Sequence, residues 1–132
     1  MSLERTKPLG AAGIPGVTLL AAAVCLALLG QTQTTSAGRE LWVKRCSGCH
    51  ALDRDMEGPR LAGVYGRRAA AVQSFSYSYA LKKSGIVWDR ETLDKWLTDP
   101  ERLVPGNDMA FRLEREDERR QIIDFLKQNS GH

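Results

Sequence analysis

The chain has 132 residues, of which 42% are hydrophobic and 27% charged, with a formal net charge of +3. This length favours one small domain. No basic stripe with interleaved aromatic residues occurs, so we expect no nucleic-acid partner.

Segment 1–37 has the pattern of a signal peptide. Two basic residues precede an apolar run from Val17 to Leu29, whose length is typical of a signal-peptide core. The polar stretch that follows ends at the small residue Ala37, which fits a cleavage site. We therefore predict export of the protein, with removal of 1–37, and a mature domain over 38–132.

An uncleaved membrane anchor is the alternative for this segment. The stretch from Leu9 to Gly30 has the length needed to cross a bilayer, about 20 residues. Pro15 and Gly16 interrupt it, and only a short tether would link it to the first helix. Cleavage is therefore favoured, and association with a membrane is expected only if the segment is retained.

The mature domain opens with a helix predicted over Gly38 to Arg45. It leads into the sequence Cys46-Ser47-Gly48-Cys49-His50. The pattern C-x-x-C-H is typical of covalent attachment of a c-type haem, with thioether bonds from both cysteines and histidine as an iron ligand. A zinc site or a thioredoxin-like pair is disfavoured, because no further cysteine follows and the flanking segments have no strand alternation.

Three more helices are predicted along the chain. Ser78 caps a short helix that ends near Lys83, and Asp89 caps another. Pro100 ends that second helix by disfavouring helical geometry at the preceding residue. The last helix begins in the acidic run Glu114 to Glu118, reaches Asn129 and should pack across the first helix.

The second axial ligand of the iron is predicted to be Met109. Met56 is too near His50 in sequence to reach the opposite face of a haem. Met109 lies in a proline- and glycine-containing stretch between two helices, where an extended loop can direct its thioether to the metal. Ligation by the terminal His132 is the weaker alternative.

With these motifs in place, the chain resembles the class I cytochromes c from Gly38 to Asn129. The resemblance implies an all-α cytochrome c fold of about four to five helices wrapped round one covalently attached haem c. It also implies that the N- and C-terminal helices pack together. The matching segments are Gly58-Pro59-Arg60-Leu61-Ala62-Gly63-Val64-Tyr65-Gly66-Arg67, Gly85-Ile86-Val87-Trp88 followed by Thr92-Leu93, and Pro105-Gly106-Asn107-Asp108-Met109.

The resemblance also implies roles for residues around the haem. The carbonyl of Pro59 accepts the other ring N–H of the ligating histidine, which orients the imidazole. The counterparts of Arg67, Tyr77 and Trp88 surround a buried haem propionate and compensate its charge.

Four residues depart from the family pattern. Trp96 stands where a tyrosine usually lies near the methionine sulfur, and Leu81 replaces an asparagine of the same network. Glu101 and Asp108 replace lysines beside the exposed haem edge. These two carboxylates argue against a copy of the strongly basic docking face of the family.

The expected function is transfer of one electron between redox partners of a respiratory or photosynthetic chain in the bacterial periplasm. We expect a monomer that docks transiently at its haem edge with a membrane cytochrome complex, an oxidase or a reaction centre. We expect no enzymatic activity. Two alternatives stay open. One is an open-site haem enzyme of peroxidase type or a gas-binding protein. The other is a haem subunit fixed to the periplasmic face of the inner membrane, within an oxidase or dehydrogenase complex.

Overall fold

Five helices occur within residues 36–131, the part of the chain that this computed structural model describes. The predicted signal peptide lies outside these residues apart from its last two positions, as do Cys25 and His132. Within 36–131, no helix is long and apolar enough to span a bilayer. The helices are α1 over 36–45, α2 over Tyr79–Lys83, α3 over Arg90–Thr98, α4 over Pro100–Leu103 and α5 over Glu116–Gln128.

The helix starts follow the capping signals of the sequence. The Ser78 hydroxyl accepts a hydrogen bond from the Leu81 N–H at 3.2 Å and begins α2. The Asp89 carboxylate accepts one from the Thr92 N–H at 2.8 Å, and the Thr92 side chain bonds back to the cap residue. Such reciprocal bonds satisfy N–H groups that have no partner within the helix. Both predicted caps are confirmed.

One short helix, α4, is absent from the sequence prediction. The predicted end of α3 is confirmed, because Asp99 has extended backbone with φ −160°. The same residue then caps α4, since its carboxylate accepts a hydrogen bond from the Arg102 N–H at 3.1 Å. Pro100 occupies the first helical turn, where its missing N–H costs nothing.

The first and last helices pack closely, as predicted. An added Cβ at Gly38 would lie 2.7 Å from the Gln121 carbonyl oxygen, so only glycine permits this approach of the two backbones. Further along, the rings of Trp42 and Phe125 lie 5.8 Å apart. Ile122 on α5 is 1% exposed, which places this helix at the centre of the core.

A buried arginine links α5 to α3 and to the segment between α4 and α5. Arg119 Nε donates to the Asp94 carboxylate at 2.7 Å, and its Nη1 donates to the carbonyls of Leu113 and Glu114 at 2.9 and 2.7 Å. The segment that follows Met109 is thereby fixed to two helices.

Candidate haem site

The haem-attachment motif continues the last turn of α1. The Cys46 N–H donates to the Trp42 carbonyl at 2.8 Å, and the His50 N–H donates to the Cys46 carbonyl at 2.9 Å. Because these bonds have helical i to i+4 spacing, Cys46 and His50 lie one turn apart on the same face. Cys46 packs against the core while Cys49 is exposed. Burial, with a smaller contribution from Cys49, raises the pKa of Cys46 to about 11.

The imidazole of His50 is held by the loop that begins at Gly58. Its Nδ1 lies 2.8 Å from the Pro59 carbonyl oxygen. A carbonyl only accepts, so Nδ1 carries the proton and the lone pair resides on Nε2. A Cβ at Gly58 would lie 2.2 Å from the His50 ring, which shows how closely the backbone covers it. His50 therefore has one oriented nitrogen available for a metal.

The thioether of Met109 is also held in place. Trp96 Nε1 donates a hydrogen bond to Met109 Sδ at 3.1 Å, and the Met109 N–H donates to Asn107 Oδ1 at 2.8 Å. Trp96 itself is buried at 8% exposure. A thioether sulfur has two lone pairs, so it can accept from the indole and still donate to a metal. The departure at Trp96 therefore supplies a hydrogen-bond donor to this sulfur.

Arg67, Tyr77 and Trp88 form a polar and aromatic group, in which the Trp88 ring packs 5.2 Å from that of Trp96. The guanidinium of Arg67 donates to the carbonyls of Ala62 and Arg60, both at 3.0 Å, and the Trp88 N–H donates to the Arg67 carbonyl at 2.9 Å. Burial raises the pKa of Tyr77, and the nearby charge of Arg67 opposes this. The structure thus brings these residues together, and their contact with a propionate stays a prediction.

The remaining departures from the family pattern occupy different environments. Leu81 is a buried core residue. Asp108 is exposed and forms no hydrogen bond or ion pair with residues of 36–131. Glu101 instead accepts hydrogen bonds from the Gly106 N–H and from the Asn107 side chain. Sequence reasoning missed this contact, because it depends on the turn at Gly106, whose φ is +82°.

These donors fit an iron porphyrin rather than a bare metal ion. Residues 36–131 contain no cluster of three or more His, Cys, Asp or Glu side chains that could hold a metal. The oriented imidazole of His50, the thioether of Met109 and the sulfurs of Cys46 and Cys49 form the set of donors that a covalently attached haem requires. Cys46 and Met109 are themselves partly buried and pack against the hydrophobic core.

An all-α fold with a C-x-x-C-H motif at the end of its first helix and a methionine in its last long loop defines a c-type cytochrome. Residues 35–130 match the family model described as Cytochrome c. The chain belongs to the cytochrome c family and is a class I member, so the predicted family and fold are confirmed.

Three similar proteins illustrate the likeness. Cytochrome c type-1 of Ascaris suum is 39% identical over 95 residues, which span 70% of this chain and 85% of that protein. Cytochrome c2 iso-2 of Magnetospirillum molischianum is 42% identical over 85 residues, 62% of this chain and 88% of that protein. The solved structure of cytochrome cH from Methylobacterium extorquens has a TM-score of 0.68 and 36% identity, and covers 71% of this chain and 97% of that one.

Membership of this family settles the cofactor and the general activity. The protein carries one covalently bound haem c, attached through Cys46 and Cys49, and it is a haem electron carrier that acts with redox partners.

Proposed function

We propose that His50 and Met109 are the two axial ligands of a low-spin iron, and that both bonds stay closed in both oxidation states. The observation that carries this proposal is the fixed orientation of the two donors. Pro59 holds the His50 ring with Nε2 free, and Trp96 holds the Met109 sulfur. Met56, the other thioether in residues 36–131, is 41% exposed and lies among surface residues.

Bound haem supplies one-electron cycling between ferric and ferrous iron. The surrounding residues set the midpoint potential of the iron. The Pro59 carbonyl increases the donor strength of His50, whereas the Trp96 N–H withdraws electron density from the Met109 sulfur. Thioether ligation and burial both favour ferrous iron, which supports a positive midpoint potential. No substrate bond changes, so the protein acts as a carrier rather than as an enzyme.

Arg67, Tyr77 and Trp88 are proposed to surround one haem propionate. The guanidinium of Arg67 is partly buried, and burial lowers its pKa. A partly buried cation favours a carboxylate as a neighbour, and the carboxylate gains a partner for its otherwise costly charge.

The carrier is proposed to work as a monomer in the bacterial periplasm after removal of 1–37. It would dock transiently at the haem edge with a membrane cytochrome complex as one partner and an oxidase or a reaction centre as the other. Such encounters use small interfaces. Phe111, which is 37% exposed and lies two residues after Met109, is suited to the apolar centre of such a contact.

Absorption spectra of three haem-loaded proteins test the ligand assignment: wild type, Met109→Ala and Met56→Ala. Wild type and Met56→Ala should show the weak ferric sulfur-to-iron band and should not bind carbon monoxide. Met109→Ala should retain covalent haem, lose the band and bind the gas. Rapid binding of carbon monoxide by the wild type would instead favour the open-site enzyme or the gas-binding protein.

The intact mass of the same preparation tests the proposed export. A polypeptide that begins near Gly38, recovered from the periplasmic fraction, would support a soluble carrier. A full-length chain retained with membranes would favour the fixed haem subunit.

A further inference from the structure

The loop 104–109 connects α4 to Met109 and has few side chains in the core. Val104 is buried at 5% exposure and Met109 is half-buried, whereas Pro105, Gly106 and Asp108 are exposed. Apolar packing therefore acts only at the two ends of the loop. The shape of the turn between them must depend on hydrogen bonds.

A chain of hydrogen bonds runs through this turn from α4 to the Met109 backbone. The Glu101 carboxylate accepts from the Gly106 N–H, with N–O distances of 3.1 and 3.2 Å to its two oxygens, and from Asn107 Nδ2 at 3.3 Å. Asn107 Nδ2 also donates to the Val104 carbonyl at 2.9 Å. The side-chain oxygen of the same asparagine accepts from the Met109 N–H at 2.8 Å.

We propose that Glu101 is a positioning residue that keeps Met109 at the iron by holding the loop 104–109 in its closed shape. The inference rests on the proposed ligation by Met109. It assigns Glu101 a role within the protein, in a position where the family pattern has a lysine at the docking face. Asn107 transmits this constraint, because its amide bonds to Glu101 and to Met109 at the same time.

The conformation of Gly106 explains why the loop needs such a constraint. Its φ is +82°, and glycine has many alternative backbone conformations in an open loop. A carboxylate that accepts the Gly106 N–H selects one of them. A hydrogen bond to a charged group contributes more than a neutral one, but Glu101 is exposed to water. We therefore expect its removal to increase loop opening by about three- to tenfold.

Competition by imidazole measures this opening in the ferric, haem-loaded protein. Imidazole binds iron only after the Met109 bond has broken and the loop has moved, so its apparent affinity rises with the population of the open loop. The variants are Glu101→Ala and Glu101→Gln. The matched control is Asp108→Ala, which removes a carboxylate adjacent to Met109 that has no hydrogen bond or ion pair with residues of 36–131.

We expect Glu101→Ala to bind imidazole about three- to tenfold more tightly than wild type. Glu101→Gln, which keeps an acceptor oxygen, should fall between the two, and Asp108→Ala should match wild type. Relative to Asp108→Ala, the free energy of unfolding of Glu101→Ala should fall by no more than the same three- to tenfold factor, about 0.6–1.4 kcal/mol, because the lost bonds stabilise only the closed loop.

Two results would overturn the inference. Equal imidazole affinity in Glu101→Ala and Asp108→Ala would show that the carboxylate contributes no more than its charge. A free energy of unfolding that falls by much more than the change in imidazole affinity accounts for would show that Glu101 stabilises the whole fold and has no particular role in the Met109 loop. Failure of the proposed ligation has a different signature: Met109→Ala would bind imidazole no more tightly than wild type.

Discussion

The hydrogen bond from Trp96 to the Met109 sulfur provides the sharpest test of how the protein controls its redox potential. Trp96→Phe removes the indole N–H but keeps an aromatic ring against Trp88, whose ring centroid lies 5.2 Å away. The sulfur then becomes a better donor to iron. Because a stronger donor favours ferric iron, the midpoint potential should fall.

The expected size of this fall follows from the energy of one hydrogen bond. A neutral hydrogen bond contributes about 0.5–1.5 kcal/mol, and for a one-electron couple a tenfold change in equilibrium corresponds to about 59 mV. The full bond would therefore correspond to about 65 mV at most. The bond exists in both oxidation states, and the potential depends only on the difference in its energy between them. We therefore expect the midpoint potential to fall by about 10–40 mV.

Potentiometric titration of haem-loaded protein measures this shift, with Trp42→Phe as the matched control. Trp42 is a partly buried tryptophan that packs against the core, and its Nε1 has no acceptor among residues 36–131. The same substitution there reduces core volume without changing the methionine. A potential in Trp96→Phe that equals that of Trp42→Phe, or exceeds that of wild type, would refute the reasoning.

Two further predictions concern the elements that hold the site. Gly58→Ala should displace the His50 ring, because a new Cβ would lie 2.2 Å from it, and should cost about 1–3 kcal/mol of stability with loss of the low-spin ferric spectrum. Gly48→Ala, with open space at its Cβ, should behave as wild type, and equal behaviour of the two would contradict the prediction. Arg119→Ala should cost about 2–4 kcal/mol in chemical denaturation, because two carbonyls and Asp94 lose their donor. The exposed Arg120→Ala should show no measurable change, and an equal loss in both variants would argue against the buried link.

Local signals in the sequence were sufficient for most helix boundaries. Ser78 and Asp89 cap α2 and α3 through bonds to N–H groups three residues ahead, and Pro100 acts on its immediate neighbour. Interactions over such short separations are fixed by residue order alone, so a sequence pattern predicts them well. The C-x-x-C-H motif is local in the same sense, which is why the cofactor followed from five residues.

Helix α4 shows where local signals were available but incompletely used. Asp99 ends α3 through its extended backbone and caps α4 with its side chain. The pair Asp99-Pro100 is a helix-start signal as well as a helix-stop signal. The sequence prediction used only the second meaning.

The contacts that fix Met109 and the segment after it depend on tertiary structure, and residue spacing alone does not predict them; the proximity of Trp96 to the methionine sulfur was expected only from the family resemblance. The indole N–H of Trp96 reaches a sulfur 13 residues away, and the Arg119 guanidinium reaches Asp94 across 25 residues. Their geometry requires the relative placement of α3, α5 and the intervening loop. A sequence pattern gives the residue type at such positions but not its partner.

The two acidic departures from the family pattern therefore have different meanings. From sequence alone, Glu101 and Asp108 were both interpreted as acidic replacements for lysines on a docking face. In the structure the Glu101 carboxylate is engaged with Gly106 and Asn107, whereas Asp108 has no hydrogen bond or ion pair with residues of 36–131. A carboxylate that already accepts from the Gly106 N–H and the Asn107 side-chain amide would lose those bonds by pairing with a partner, and this cost makes it a poor docking contact. Of the two, Asp108 is the residue free to meet a partner's positive charge, so its substitution should change association with a redox partner while leaving the Met109 loop closed.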